Sequence, residues 1–279
     1  MGKKIIPVLM TIISFFVLFP LVFIIIASFK GSLETTQYLL PLLEGNAGYI
    51  STNILPMYPT LQSYVEILID TPEYMVLLWN TIINTILILM GQIVIAVPAA
   101  WGITRLNKHL KSGIILFYTI LMILPFVIMM LPQYIVLNKL SLLNTRWAIV
   151  LPSIFSPFSV FMLYHYFEGI SDTIIEQARI DGASNMDIFF RIVIPVGKPS
   201  IIATCFLGFI EAWNMIEQPI IFIKNQQLWP VTLFGANITP QNMGIIFTAS
   251  VITMIPAACI FYIGYEYLEQ GFLEVVDKE

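Results

Sequence analysis

The sequence predicts an all-α integral membrane protein that crosses the bilayer about six times. Of its 279 residues, 58% are hydrophobic and 11% are charged, whereas a soluble domain carries about 25% charged residues. Six apolar stretches are each long enough to cross about 30 Å of hydrocarbon as a helix, so we expect one transmembrane domain over residues 1–279. The stretches cover roughly residues 5–27, 78–102, 113–131, 146–167, 199–223 and 243–264.

The first apolar stretch is expected to be a retained helix. It begins with Lys3 and Lys4 and lacks a convincing small-x-small cleavage site. It is also longer than the apolar core of a signal peptide.

The two cysteines and the net charge exclude other classes of site. Cys205 and Cys259 lie inside apolar stretches, so we expect them to pack as small hydrophobic side chains and not to form a disulfide or a metal site. The net charge of −4 gives no indication of nucleic-acid binding.

Lysine and arginine are unevenly distributed between alternate connecting segments. If the amino terminus is inside, the inner segments hold nine of these residues and the outer segments hold four. Cytoplasmic loops carry the excess of positive charge, so we expect both termini in the cytoplasm. The longest inner segment, residues 168–198, is called the connector below. The inner residues are Lys3, Lys4, Arg105, Lys108, Lys111, Arg179, Arg191, Lys198 and Lys278, and the outer ones are Lys30, Lys139, Arg146 and Lys224.

The connector is predicted to form a helix, a glycine turn and a second helix. Thr173 followed by Glu176 predicts a capping box at the start of the first helix. Gly182 can end that helix in a left-handed conformation. Ser184 followed by Asp187 predicts the cap of the second helix.

The second connector helix carries an apolar stripe. Met186, Phe189, Phe190 and Val193 recur at helical spacing, and a stripe of this kind must be covered. It could pack under the helix ends of its own protein, or it could dock into another protein. The sequence leaves both interpretations open.

The connector resembles the cytoplasmic signature of permease subunits of bacterial ATP-binding-cassette importers. That signature reads Glu-Ala-Ala, three residues, Gly, nine residues and Ile-x-Leu-Pro. Here residues 176–178 read Glu-Gln-Ala, Gly182 follows, and residues 192–195 read Ile-Val-Ile-Pro. The resemblance implies the type I importer permease fold, with a coupling helix that sits in a groove of the cytoplasmic ATPase. The residues it places at the ATPase contact are Glu176, Gln177, Ala178, Asp181, Gly182, Ala183 and Pro195.

Shorter motifs are similar to those of the carbohydrate-importer permeases, specifically the maltose-type second subunit. They are Ser-Phe-Lys at 28–30, Pro-Thr-Leu-Gln-Ser-Tyr at 59–64, Asn-Thr at 80–81 and Trp-Asn at 213–214. The tail at 274–279 departs, because it is acidic where the family commonly ends in small and basic residues. The resemblance implies a bacterial cytoplasmic (inner) membrane protein. It also implies a second related permease, two ATPase subunits and an extracytoplasmic sugar-binding lipoprotein or periplasmic protein as partners.

The chain carries no recognisable nucleotide site. Gly197-Lys198 is followed by Pro199, and Ile192 stands where a phosphate loop needs its first glycine. We therefore expect no cofactor in this chain and no enzymatic activity of its own. By the resemblance, ATP and Mg²⁺ are bound by the partner ATPase.

Polar residues interrupt the fifth apolar stretch. Glu211, Trp213, Asn214, Glu217 and Gln218 lie within it, and ionisable groups in a membrane helix by default indicate a pathway or pairing between helices. In one continuous helix, Glu211, Asn214 and Gln218 would share a face. Glu211, Trp213, Asn214 and Gln218 are thus candidates either for a substrate pathway or for structural hydrogen bonds.

Three classes of function compete. The first is an importer of a mono- or oligosaccharide, or the same machine with another cargo such as a glycerol phosphoester. The second is a proton-coupled secondary transporter that uses Glu211 and Glu217, a class that usually shows internal repeats, and we find none. The third is a membrane enzyme, for which no nucleophile–base pair or metal cluster has a readable spacing. The amide-rich outer loop at 224–242 could contact a binding protein or only solvent.

Overall fold

A computed structural model describes residues 2–31, 33–37, 53–237 and 243–276, and these residues contain helices and turns but no strand. In chain order the helices are α1 (Gly2–Ala27), α2 (Gln62–Val65, continued by a π-helical turn at Glu66–Asp70), α3 (Pro72–Thr104), α4 (Lys108–Ile123), α5 (Phe126–Lys139), α6 (Trp147–Ile154), α7 (Pro157–Glu168), α8 (Asp172–Ile180), α9 (Asn185–Val196), α10 (Lys198–Trp213), α11 (Glu217–Phe222) and α12 (Met243–Val276). A short helical segment also covers 33–37. The prediction of an all-α membrane protein is confirmed.

Within the described part of the chain, four segments are individually long and apolar enough to cross a membrane. They are Leu9–Ala27, Pro72–Thr104, Trp147–Glu168 and Gly244–Tyr265. Two further candidates are bent pairs: α4 and α5 meet at 99°, and α9 and α10 meet at 69°. If each bent pair is one span, the total is six, in agreement with the sequence prediction.

The third apolar stretch, 113–131, is divided between two helices. Helix α4 ends at Ile123, and Leu124 is extended with φ −66° and ψ 120°. Pro125 then stands at the N-cap of α5. The break follows from steric contact between a proline ring and the residue before it, which disfavours the helical region for that residue.

The chain divides into two compact units. One comprises Met1–Trp79 with Val231–Pro256, and the other comprises Asn80–Pro230 with Ala257–Glu279. The connector and the fifth apolar stretch both belong to the second unit.

In the first unit, hydrogen bonds tie the end of α1 to α12. The Thr248 hydroxyl donates to the Ser28 carbonyl at 3.3 Å, and the Ser28 and Tyr64 hydroxyls lie 2.7 Å apart. Tyr74 is fully buried, and its hydroxyl donates to the Ala249 carbonyl at 3.1 Å. These bonds satisfy polar groups that would be costly to leave unpaired in an apolar environment.

The core of the second unit includes a cluster that holds the connector. Apolar side chains from both connector helices pack against side chains from α3 and α7. Because burial of each such side chain stabilises the fold by about 1.5–3 kcal/mol, the connector is fixed to the helices that precede it. The most buried members of this core cluster include Ala100, Phe167, Ile175, Ile188 and Val193.

Gly197 lies where α9 meets α10 and has no room for a side chain. An added Cβ would lie 2.4 Å from Cε1 of Phe167 and 2.9 Å from the carbonyl oxygen of Val193. Phe167 is fully buried, so its ring cannot move away freely. We expect Gly197→Ala to lower the free energy of unfolding by about 1–3 kcal/mol through overpacking, measured as a lower thermal midpoint in detergent.

The matched control for this prediction is Gly113→Ala in α4. An added Cβ there meets nothing within 4 Å, and alanine is the better helix former. The midpoint of this control should stay level or rise slightly. Equal midpoints for the two variants would show that the packing around Gly197 is looser than described.

Candidate functional site

The first connector helix begins earlier than predicted. Ser171, with φ −60° and ψ 128°, is the N-cap of α8 and makes no side-chain capping bond. Thr173 lies inside the first turn, with its hydroxyl 2.6 Å from that of Ser171. The predicted capping box of Thr173 and Glu176 is therefore wrong. The physical reason is that Asp172 is the first helical residue, where a negative charge is favourable.

The glycine turn is confirmed, and it is a complete Schellman motif. Gly182 has φ +86°, a left-handed conformation that side chains rarely adopt. Its N–H donates to the Arg179 carbonyl at 3.0 Å, and the Ala183 N–H donates to the Ala178 carbonyl at 2.9 Å. Both bonds satisfy carbonyl groups at the end of α8, so the turn has one defined geometry.

The cap of the second connector helix is confirmed as a capping box. The Asp187 N–H donates to Oγ of Ser184 at 3.2 Å, and the Ser184 N–H donates to Oδ2 of Asp187 at 3.3 Å. The Ser184 hydroxyl donates to the same oxygen at 2.6 Å. These hydrogen bonds from Ser184 lower the pKa of Asp187 below its ordinary value, because they favour the ionised carboxylate.

The predicted apolar stripe divides into two faces. Phe189 and Val193 pack into the core of their own protein, whereas Met186 is 69% exposed and Phe190 is 60% exposed. The division coincides with a π-helical turn over Phe189–Val193. Internal packing therefore accounts for Phe189 and Val193, but not for Met186 and Phe190.

Sequence reasoning missed three apolar side chains of the connector. Ile188 is fully buried and anchors α9, while Ile174 and Ile180 are exposed on α8. Ile174 and Ile180 lie in an otherwise polar segment, which was a signal for both, whereas Ile188 lies in an apolar run that hides it. The connector therefore presents Ile174, Ile180, Met186 and Phe190 to its surroundings.

The residues that the importer signature places at the ATPase contact all lie on or beside the glycine turn or at the end of α9. Ala178 and Ala183 are half-buried because they pack against the core cluster that holds the connector. The exposed members are Glu176, Gln177, Asp181, Gly182 and Pro195. The exposed residues around the turn can contact a partner without any change in the fold of the connector.

The predicted polar face in the fifth stretch is wrong, because the stretch is not one helix. Helix α10 ends at Trp213, and α11 begins at Glu217. In a continuous helix, the ring of Pro219 would clash with the carbonyl of Met215. By restarting, the chain places Pro219 in the first turn of α11, where proline is tolerated, and puts Gln218 on a different helix from Glu211.

The four pathway candidates differ in accessibility. Glu211 and Asn214 are exposed, and the Asn214 amide donates to the Ile210 carbonyl at 2.9 Å. Trp213 is buried. Its ring is stacked on Phe209 with centroids 5.2 Å apart. Gln218 is half-buried. Glu211 and Asn214 are therefore accessible on the surface of this chain, whereas Trp213 packs within α10.

Two terminal or loop predictions fall partly outside the described residues. In the loop 224–242, Oδ1 of Asn144 accepts a hydrogen bond from the Asn225 N–H at 2.7 Å, while residues 238–242 lie outside the described ranges. The acidic tail at 274–279 likewise extends beyond the described residues, so its expected departure from the family stays a prediction.

These features define a membrane-embedded transport permease with a structured connector. Residues 92–274 match the model of the family described as binding-protein-dependent transport system inner membrane component. The chain belongs to this family, as its connector signature predicted.

Comparisons with individual proteins agree with this assignment. The chain is 27% identical over 262 residues to the arabinooligosaccharides transport system permease protein of Halalkalibacterium halodurans, covering 93% of this chain and 90% of that protein. It is 26% identical over 260 residues to the sulfoquinovosyl glycerol transport system permease protein of Agrobacterium fabrum, covering 91% and 86%. It is 23% identical over 212 residues to the sn-glycerol-3-phosphate transport system permease protein of Pectobacterium atrosepticum, covering 74% and 75%.

The fold matches a solved structure over nearly the whole chain. That structure is a bacterial ABC transporter involved in the import of the acidic polysaccharide alginate, with a TM-score of 0.77 and 20% identity. The match covers 95% of this chain and 96% of the solved chain. The chain therefore has the fold of an ABC importer permease, as predicted.

Proposed function

We propose that this chain is one of two related permease subunits of an ATP-driven importer in the bacterial cytoplasmic membrane. It passes a carbohydrate, delivered by an extracytoplasmic binding protein, through a pathway shared with the second permease. ATP and Mg²⁺ are bound by two ATPase subunits on the cytoplasmic side, where both termini and the connector lie. The observation that carries this proposal is the connector, whose two helices are joined by a defined glycine turn, fixed on one face and exposed on the other.

The connector has the properties of a docking element. Its inner face is anchored through Ile175, Ile188 and Val193 in the core of the protein. Its outer face exposes Met186 and Phe190, and exposed apolar groups of this size indicate an interaction site when they recur on one element. A rigid element of this kind can move as a lever between two packed arrangements, as conversion of ATP hydrolysis into transport requires.

Glu176 is expected to contact the ATPase and not to cap α8. Its side chain is exposed, and the start of α8 is formed by Ser171 and Asp172 instead. We therefore expect Glu176→Ala to leave the thermal midpoint unchanged while it weakens ATPase binding about two- to fivefold, the range for one exposed charged contact. Glu176→Gln is the matched control, because it removes the charge and keeps a polar side chain of the same size. A lower midpoint in Glu176→Ala would assign a structural role to this residue.

Glu211 and Asn214 are the residues we assign to the substrate pathway. Both are exposed where α10 ends, inside the apolar stretch 199–223 that we assign to the fifth span. Carboxylate and amide oxygens can accept hydrogen bonds from sugar hydroxyls. Trp213 would support this surface from within α10, through its ring stacked on Phe209, and Gln218 is a candidate on the neighbouring helix α11.

The cargo we infer is an uncharged carbohydrate. A phosphoester would need a cationic partner, and residues 199–223 contain neither lysine nor arginine. A glycerol phosphoester is the second candidate, since one relative is named for the transport of sn-glycerol 3-phosphate.

Reconstitution of the complete complex in proteoliposomes tests the proposal. The chain is purified with the permease, ATPase and binding protein encoded beside it, and uptake of labelled arabinose oligosaccharides is compared with uptake of glycerol 3-phosphate. We expect ATP-dependent uptake of an oligosaccharide. ATP-dependent uptake of the phosphoester would support the importer assignment and replace the carbohydrate as the inferred cargo. Uptake driven by a proton gradient without ATP would instead support a secondary transporter that uses Glu211 and Glu217.

A further inference from the structure

Two ion pairs bracket the short turn between α7 and the connector. Nζ of Lys111 lies 2.7 Å and 3.0 Å from the two carboxylate oxygens of Glu168, the last residue of α7. NH1 of Arg105 lies 3.0 Å from Oδ1 of Asp172, the first residue of α8. Both cations come from the region where α3 ends and α4 begins, so charged contacts join this region to each side of the turn.

The two pairs differ in their surroundings. The side chain of Lys111 is 19% exposed, and it joins α4 to α7 by a contact with both oxygens of one carboxylate. The side chain of Asp172 is 76% exposed and belongs to the connector itself. The pair of Lys111 and Glu168 therefore fixes two membrane helices to each other, whereas the pair of Arg105 and Asp172 reaches the element that docks the ATPase.

Arg105 is held in position independently of Asp172. Its guanidinium carbon lies 4.3 Å from the ring centroid of Trp101, and its Nε donates to the Thr104 hydroxyl at 3.0 Å. The Trp101 ring packs edge-on against Phe167. Stacking and hydrogen bonding of this kind reduce the conformational entropy that an exposed ion pair must otherwise lose.

We propose that Arg105 is a positioning residue that passes movement of the first connector helix to the end of α3 and the start of α4. Without this pair, α8 would contact α3 and α4 through apolar packing. Its movement would then pass to the membrane helices mainly along the chain, through α9 to α10. With it, displacement of Asp172 pulls on a guanidinium that is fixed to α3. The inference rests on the proposed function, because it requires an ATPase that moves the connector.

The test compares uptake per ATP hydrolysed in reconstituted complexes. Asp172→Asn and Arg105→Gln each remove one charge, and Asp172→Glu keeps a carboxylate opposite an unchanged Arg105. Lys108→Gln is the control, because it removes an exposed positive charge at the first residue of α4, where the described residues give Lys108 no ion pair. Co-purification of the ATPase and the thermal midpoint are recorded for every variant.

We expect Asp172→Asn and Arg105→Gln each to lower uptake per ATP about two- to fivefold, the range for an exposed ion pair, with ATPase content unchanged. Asp172→Glu should keep at least half of the wild-type value, and Lys108→Gln should equal the wild type. Wild-type coupling in both charge-removing variants, or a loss in Asp172→Glu as large as that in Asp172→Asn, would overturn the positioning role while leaving the importer assignment intact. If the ATPase does not co-purify with the wild-type chain, the proposed function itself is refuted.

Discussion

Gly182→Val is expected to leave the protein inserted in the membrane and to abolish ATP-dependent uptake. Gly182 has φ +86°, where a β-branched residue is strained by about 1–3 kcal/mol. An added Cβ would meet nothing within 4 Å, so the cost comes from the backbone and not from a clash. The chain can relieve it by opening the Schellman turn, which would break the hydrogen bond from Ala183 to Ala178 and reorient α9 relative to α8.

The effect should fall on docking more than on folding. The core contacts of Ile175 and Val193 can survive a local opening of the turn, whereas a docking surface built from both helices cannot. We expect ATPase affinity to fall about 5- to 150-fold, the range that corresponds to the strain. Gly182→Asn is the control, since asparagine tolerates the left-handed conformation and should retain most of the uptake.

These outcomes are measured together in right-side-out membrane vesicles that are loaded with ATP and supplied with the binding protein, by membrane insertion, ATPase co-purification and ATP-dependent uptake. Full uptake by Gly182→Val with the ATPase bound at wild-type levels would show that the turn geometry is irrelevant to docking. Full uptake with the ATPase absent would remove the importer assignment altogether.

Phe190→Asp is expected to have the second largest effect. Phe190 is 60% exposed on α9, so the variant should fold with an unchanged thermal midpoint. If the ring is covered by the ATPase, its loss costs about 1.5–3 kcal/mol of burial, and the new carboxylate would be buried without a partner. We therefore expect ATPase affinity to fall by at least about tenfold.

Phe190→Leu is the matched control, because it keeps an apolar side chain at the same place. Its ATPase affinity should remain within about threefold of the wild type. The affinity is measured by titration of the purified ATPase onto the permease pair in lipid nanodiscs. Equal affinity for the Asp and Leu variants would place Phe190 outside the docking surface.

Features set by local chemistry could be predicted from the sequence. The spans follow from apolar runs, because their length is fixed by the thickness of the bilayer. The turn at Gly182 and the capping box of Ser184 and Asp187 were predicted correctly, since each depends on residues within one helical turn. The family signature could be read for the same reason, as its residues lie close together along the chain.

Features set by competition between neighbours could not be predicted. Ser171, Asp172 and Thr173 all suit the start of a helix, so the sequence did not decide where α8 begins. The break before Pro219 was missed because the apolar run continues through it. The two faces of α9 and the pair of Arg105 with Asp172 depend on which helices pack against the connector, and this information is tertiary.

The central claim is that the outer face of the connector binds an ATPase, and site-specific photo-cross-linking tests it most directly. A photoreactive phenylalanine analogue is incorporated at position 190 and, in a separate sample, at position 117 on α4, where Phe117 is also exposed. Membranes that contain the assembled transporter are then irradiated. We predict a cross-link from position 190 to the ATPase and none from position 117. Absence of any ATPase cross-link from position 190 in membranes that carry out ATP-dependent uptake would contradict the account.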